Sequence, residues 1–105
     1  MRNSTSRDPV ARLQRNYTPA LLAHLTSRNE STLRAAYELG RGAIADGVSM
    51  LDLVHVHHAV FLDVASTVRE VGELADILDA AAAFLMEALA PFEMTQQAPV
   101  RRGPG

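Results

Sequence analysis

Apolar side chains recur every three or four residues along almost the whole chain, and no segment alternates apolar with polar residues as a half-buried strand does. The first of these runs contains Val10, Leu13, Tyr17, Leu21 and Leu25. A segment with this spacing forms a helix with one apolar stripe, and such helices bury their stripes against one another. The pattern therefore predicts an all-α protein, a four-helix bundle-like domain with short connections.

Capping residues and prolines predict where the first two helices begin. Asp8 followed by Pro9 predicts the start of the first helix, because aspartate caps free N–H groups and proline is favoured in the first turn. Pro19 predicts either a kink in this helix or its division into two short helices. Ser27 and Glu30 have the spacing of a capping box, which predicts that the second helix opens there.

Glycines and a second capping pair mark the later boundaries. Gly47 supplies the left-handed conformation that ends the second helix, and Ser49 with Asp52 predicts the start of the third. We expect the third helix to reach about Glu70 and the fourth to follow from Gly72. The core face predicted for the fourth helix consists of Leu74, Ile77, Leu78, Ala81, Leu85, Leu89 and Phe92.

The length and the distribution of apolar residues predict one domain with two tails. A chain of 105 residues with 48% hydrophobic content can bury one modest core. The helical pattern occupies residues 9–95. Residues 1–8 and 96–105 are polar and aperiodic, so we expect a disordered N-terminal tail and a disordered C-terminal tail.

Composition argues against several classes of function. The net charge is -2 and every basic residue is arginine, which does not favour a nucleic-acid partner and excludes a Schiff-base lysine. The absence of cysteine excludes disulfides and thiol nucleophiles. We expect no cofactor. The N-terminus has no apolar export segment and no run approaches the ~18 apolar residues of a membrane span, so a cytoplasmic location is predicted.

Three glycines and three histidines between residues 40 and 58 suggest a chemical site, but their spacing argues against one. The glycines at 40, 42 and 47 follow no strand, so they do not form a dinucleotide-binding loop. Gly40 is instead expected to let another helix approach closely. His57 shares the apolar side of the third helix, where a neutral, hydrogen-bonded imidazole is expected.

His55 and His58 are predicted to lie away from that apolar side. Together with Asp52 they step around the helix by about 60° at a time, so the three cannot converge on one ion and we expect no metal site. Because four-helix phosphotransfer domains carry an exposed histidine in mid-helix, phosphotransfer through His55 or His58 remains an alternative.

Two helices have more apolar surface than a single core requires. The third is apolar over more than half its circumference, which predicts packing on two sides and a homodimer. The residues assigned to this core and dimer packing are Leu51, Leu53, Val54, His57, Phe61 and Leu62. On the fourth helix, four residues lie away from the core face: Asp79, Ala83, Met86 and Ala90. They suit either a protein-docking surface or a solvated face that is rich in alanine. A purely structural oligomerisation module is the second alternative.

The spacing of these residues resembles that of the N-terminal domain of RsbU-type phosphatases. The resemblance covers roughly residues 10 to 95 and includes AYELGR at 36–41 and FLMEALAPFEM at 84–94, with Arg41 and His57 as landmarks. It implies a non-catalytic four-helix dimer that recruits a switch kinase (RsbT-like) and thereby activates a separate phosphatase domain in bacterial stress-response partner switching. The tail after residue 95 is too short to contain such a phosphatase domain, so we expect no enzymatic activity.

The resemblance also implies a partner and a site. The partner is a regulatory serine kinase or a phosphatase of a sigma-factor regulatory pathway. The family's kinase-binding surface comes from the second and fourth helices, and by alignment it falls here on Glu30, Arg34, Met86 and Ala90.

Overall fold

The computed structural model describes the backbone of residues 8–102 and the side chains of residues 8–95. Within that part of the chain there are four helices and no strand, which confirms the all-α prediction: α1 is Pro9–Ser27, α2 Glu30–Ala45, α3 Met50–Ala65 and α4 Val71–Arg102. Helix α4 thus continues beyond the boundary predicted at residue 95. The expected tail residues 1–7 and 103–105 lie outside the described residues.

Helix α1 is a single helix that contains Pro19. The Asp8 side chain accepts a hydrogen bond from the backbone N–H of Val10 at 3.0 Å, as an N-cap does. Because α1 is continuous from Pro9 to Ser27, one of the two outcomes predicted for Pro19, division into two short helices, is wrong. Pro19 is on the exposed side of α1. A proline within a helix leaves one carbonyl without its N–H partner, and this costs less near water than in a core.

The cap of α2 differs from the prediction. Asn29, rather than Ser27, is the N-cap: its side-chain oxygen accepts from the backbone N–H of Thr32 at 3.0 Å, and its own N–H donates to the Thr32 hydroxyl at 3.1 Å. Ser27 is unavailable because it is the last residue of α1, whose C-cap Arg28 is left-handed with φ 53°. The capping role therefore falls to Asn29, two residues later than predicted, because α1 extends through Ser27.

Helix α3 begins as predicted and ends early. The Ser49 hydroxyl accepts from the N–H of Asp52 at 3.0 Å, and Gly47 before it has φ 79°. The helix stops at Ala65 instead of near Glu70. The hydroxyls of Ser66 and Thr67 donate to backbone carbonyls three residues earlier, at 2.7 and 2.8 Å, and such local bonds compete with helix continuation.

The most extensive contact between two helices is that of α2 with α4, and α1 packs against all three other helices. A Cβ atom added to Gly40 in α2 would collide with the carbonyl oxygen of Ala88 in α4, which confirms the predicted close approach at this glycine. The core cluster is filled mainly from α1, α3 and α4, with Tyr17, Leu21, Leu53 and Phe84 the largest side chains with essentially no exposure.

The predicted core face of α4 is only partly correct. Ala81 and Phe92 are buried as expected, but Phe84 and Ala88 complete the face. Leu74 and Leu78 are instead 38% and 54% exposed. They belong to the first part of α4, residues 71–79, which we call the α4 arm and in which every side chain is exposed or half-buried.

Helix α4 determines the shape of the molecule. It has 32 residues, twice the 16 of α2 or α3, and a helix of that length spans about 48 Å. The molecule measures 53 × 39 × 21 Å, so it is about two helices thick in its thinnest direction. Among residues 8–102, no helix combines the length and the apolarity needed to cross a membrane.

Candidate protein-docking surface

An open groove runs along the outer side of the α2–α4 pair. Its larger part has a volume of about 610 Å³ and is lined by Glu30, Ser31, Leu33, Arg34, Tyr37 and Glu87. The residues from α2 are spaced three and four apart, so they form one face of that helix. The two helices approach each other closely at Gly40.

A second depression of about 340 Å³ continues the groove toward the end of α2. Tyr37 lines both parts, and Ile44, Pro91 and Met94 give the second part an apolar lining. The Tyr37 hydroxyl is 4.0 Å from the Met94 sulfur, a weak donor contact that spans the two helices. We refer to the two depressions together as the α2–α4 groove.

The charges around the α2–α4 groove are solvated and of both signs. Arg41 pairs with Glu38 at 3.5 Å, with the two side chains 61% and 52% exposed. An exposed pair of this kind contributes little to stability, so both charges can exchange partners at little cost. Glu30 and Arg34 lie one turn apart on the same exposed face of α2. In the larger depression, polar and charged side chains thus surround Leu33 and Tyr37, whereas the second depression is more apolar. Protein-binding surfaces combine apolar and polar parts in this way.

The four residues assigned by alignment divide between two places. Glu30 and Arg34 line the α2–α4 groove. Met86 is 69% exposed on the outer side of α4, next in sequence to Glu87, and Ala90 is half-buried beside Pro91. Sequence reasoning did not assign Tyr37 to this surface, although Tyr37 follows Arg34 by three residues on α2 and that spacing could have indicated it.

The residues assigned to core and dimer packing on α3 also divide. Leu53 is fully buried inside this chain, and Val54, His57 and Phe61 are half-buried. Leu51 and Leu62 are 64% and 53% exposed on the other side of α3. We call the surface around Leu51 and Leu62 the α3 face. Two exposed leucines on one helix are available for a further protein contact.

The histidines of α3 have the predicted orientations. The His57 Nδ1 is 2.7 Å from the hydroxyl of buried Tyr17, and its ring stacks on Phe61 with centroids 6.3 Å apart. Burial, and secondarily the charge of His58, lowers the pKa of His57, so the neutral form is favoured. His57 is thus a hydrogen-bonded, inward-facing imidazole, as predicted.

His55 and His58 are exposed. The part of the chain that the structure describes contains no group of three or more histidine, cysteine, aspartate or glutamate side chains arranged to hold a metal ion. Phosphotransfer through His55 or His58 stays a prediction, since it depends on their exposure alone.

Comparison with known proteins gives one match. The family model described as the N-terminal domain of phosphoserine phosphatase RsbU matches residues 15–95, most of the chain and all four helices in part or whole. No curated protein and no solved structure matches the chain.

Proposed function

Because the chain belongs to the family of N-terminal domains of the phosphoserine phosphatase RsbU, we propose that it is a non-catalytic regulatory domain that docks a switch kinase on the α2–α4 groove. Membership of this family implies a regulatory role in partner switching, in which proteins of one pathway exchange binding partners. The docking surface, the kinase as partner and the absence of catalysis are the specific parts of the proposal.

The observation that supports docking most strongly is the coincidence of two independent assignments. The resemblance to the family implies kinase binding by residues of the second and fourth helices. A groove of about 610 Å³ lies along those same helices and is lined by two of the four residues so implied, Glu30 and Arg34. Leu33 and Tyr37 supply contact area there, and the charged side chains that line the same depression supply orientation.

The proposal is tested by measuring the affinity of purified domain variants for the switch kinase of the same pathway by titration calorimetry. Arg34→Glu reverses a charge on the groove, and Met86→Asp places an unpaired charge on the outer side of α4. If Met86 is buried against the kinase, Met86→Asp should reduce the binding free energy by about 2 to 4 kcal/mol. That loss corresponds to roughly 30-fold to 900-fold in Kd.

The matched control for the first variant is Arg15→Glu, an identical charge reversal at an exposed position of α1. It should leave the Kd unchanged within about twofold. Binding that survives both Arg34→Glu and Met86→Asp, or that weakens equally with Arg15→Glu, would contradict docking on the α2–α4 pair. Binding that is lost with Arg34→Glu but kept with Met86→Asp would restrict the surface to the groove itself.

A further inference from the structure

A buried histidine joins three helices at the corner where α1 turns into α2. His24, in the last turn of α1, is only 4% exposed. Its Nδ1 is 2.7 Å from the hydroxyl oxygen of Thr32 in α2, and its ring lies 5.7 Å from that of Phe84 in α4, centroid to centroid. One titratable side chain thus holds α1, the first turn of α2 and the buried part of α4 together.

The hydroxyl of Thr32 has more partners than one proton can serve. It accepts from the Asn29 N–H at 3.1 Å, and it faces two groups that can take its proton, the Asn29 carbonyl at 2.8 Å and His24 Nδ1 at 2.7 Å. A hydroxyl donates only one hydrogen bond. Either Thr32 donates to His24, or the His24 Nδ1 carries a proton and donates to Thr32, whose own proton then turns to Asn29.

The backbone of Ala80 relates this choice to the charge of His24. Burial lowers the pKa of His24 overall, and the Ala80 backbone opposes this effect in part, as a carbonyl that accepts a hydrogen bond from a ring N–H does. When the second ring nitrogen donates to that carbonyl, a neutral His24 must accept at Nδ1. The arrangement in which Nδ1 also donates therefore requires the cation. Protonation of His24 and the direction of the Thr32 bond in the α2 cap are coupled.

Burial and the charge of Arg28 at this corner disfavour the cation. Burial is the main cause that lowers the pKa of His24, and the positive charge of Arg28 at the α1 C-cap is the second. From α4, the Asp76 carboxylate accepts hydrogen bonds from both terminal guanidinium nitrogens of Arg28, at 3.3 and 3.1 Å. These bonds hold the Arg28 side chain in place. Toward His24, α2 presents the uncharged Thr32. Neutral His24 therefore favours the closed corner.

We propose that His24 is a proton-sensitive latch: neutral, it closes the α1–α2 corner on α4, and protonated, it loosens the first turn of α2 and the α4 arm. The α4 arm is the segment of α4 that loosens, because few contacts among the described residues tie it to the rest of the molecule. The ion pair between Arg28 and Asp76 joins it to the corner, and Ala80 is the first buried residue that follows it.

The direction of the pH effect follows from proton linkage. A histidine whose pKa is lower in the closed state than the ordinary value of about 6.5 binds its proton more readily when the corner is open. Stability of the closed corner is therefore complete above pH of about 6.5 and is lost as the pH falls through and below that value. His57 has a lowered pKa as well, so an experiment must separate the two histidines.

Amide hydrogen exchange of the whole chain at pH 7.5 and pH 5.0, corrected for the intrinsic exchange rate, makes that separation. In the wild type, residues 24–33 and 71–80 should lose protection at pH 5.0, by up to about tenfold for each unit of pKa lowering. His24→Gln, which keeps a donor and an acceptor but does not titrate, should abolish this loss. The control His57→Gln should retain it.

An equal loss of protection in wild type and His24→Gln would overturn the latch, and so would protection in the wild type that does not depend on pH. The nitrogen chemical shifts of the imidazole ring provide a second measurement on the unmodified chain, which does not require the variant to fold. They should show neutral His24 with the proton on Nε2 at pH 7.5. A His24 that is already a cation at that pH, or that titrates at the ordinary value, would also overturn the proposal.

Discussion

At the scale of single residues, the Tyr17–His57 pair is the clearest case of a polar contact within the core. Tyr17 has no exposed surface, and its hydroxyl bonds to His57 across 40 positions of sequence. Tyr17→Phe leaves the imidazole nitrogen without its partner, so we expect a loss of about 1 to 3 kcal/mol in the free energy of unfolding. Urea denaturation at pH 7.5 measures it.

Tyr37→Phe is the matched control for this prediction. The Tyr37 hydroxyl makes only a 4.0 Å contact with sulfur near the surface, so its removal should change the free energy of unfolding by less than about 0.5 kcal/mol. Equal losses for the two variants would show that the buried hydroxyl contributes nothing beyond that of an exposed one.

What the sequence could predict for single residues depended on helical spacing. The orientation of His57 follows from its position on an apolar stripe, and the structure confirms it. The partner of His57 does not follow, because Tyr17 belongs to another helix and periodicity gives no contacts between helices. His24 was missed for a related reason: its environment is built by Thr32 and Phe84, which meet only after three helices have packed.

At the scale of helices, Gly40 determines how closely α2 and α4 pack. A methyl group there would meet the backbone of Ala88, which cannot rotate away as a side chain does, and Pro91 at 3.2 Å. Gly40→Ala must therefore separate the helices locally, and we expect it to lower the free energy of unfolding by about 1 to 3 kcal/mol. Thermal unfolding followed by circular dichroism measures the change.

Gly42→Ala in the same helix is the control, since an added Cβ there meets nothing within 4 Å. Alanine is the better helix former, so this variant should stabilise the protein by up to about 1 kcal/mol. Opposite signs for two identical substitutions two residues apart are expected only if contact at Gly40, and not helix propensity, controls the outcome.

The helix starts were mostly predicted correctly from the sequence. The residues that pack against other helices were predicted less well. Caps and glycines are local signals, which is why the starts of α1 and α3 were predicted from sequence. The core face of α4 was wrong at Leu74 and Leu78, because the stripe continues along a helix that is longer than the helices packed against it. An apolar stripe shows which residues prefer burial, but not how far a covering helix extends.

At the scale of the whole molecule, we propose that a second copy of the chain covers the α3 face. Leu62→Asp would place a charge in that contact, and we expect it to reduce a dimer to the monomer mass of 11.4 kDa while the helical content is kept. Sedimentation equilibrium measures the mass. The control is Leu22→Asp, at a leucine of α1 that is 45% exposed.

The dimer prediction fails if the wild type already sediments as a monomer at micromolar concentration. It fails for this face if Leu22→Asp and Leu62→Asp have the same effect on mass. In that second case, dimerisation would involve another part of the surface, such as the exposed leucines of the α4 arm.

The thickness of 21 Å has a thermodynamic consequence for every surface of this protein. In a molecule two helices thick, each helix outside the α4 arm contributes one side to the core and the other to solvent. A partner bound to such a face rests on a helix whose opposite side belongs to the core, so it should bind the folded chain. Binding of a partner should then raise the melting temperature. A free partner concentration of 100 times Kd should increase the free energy of unfolding by about 2.7 kcal/mol.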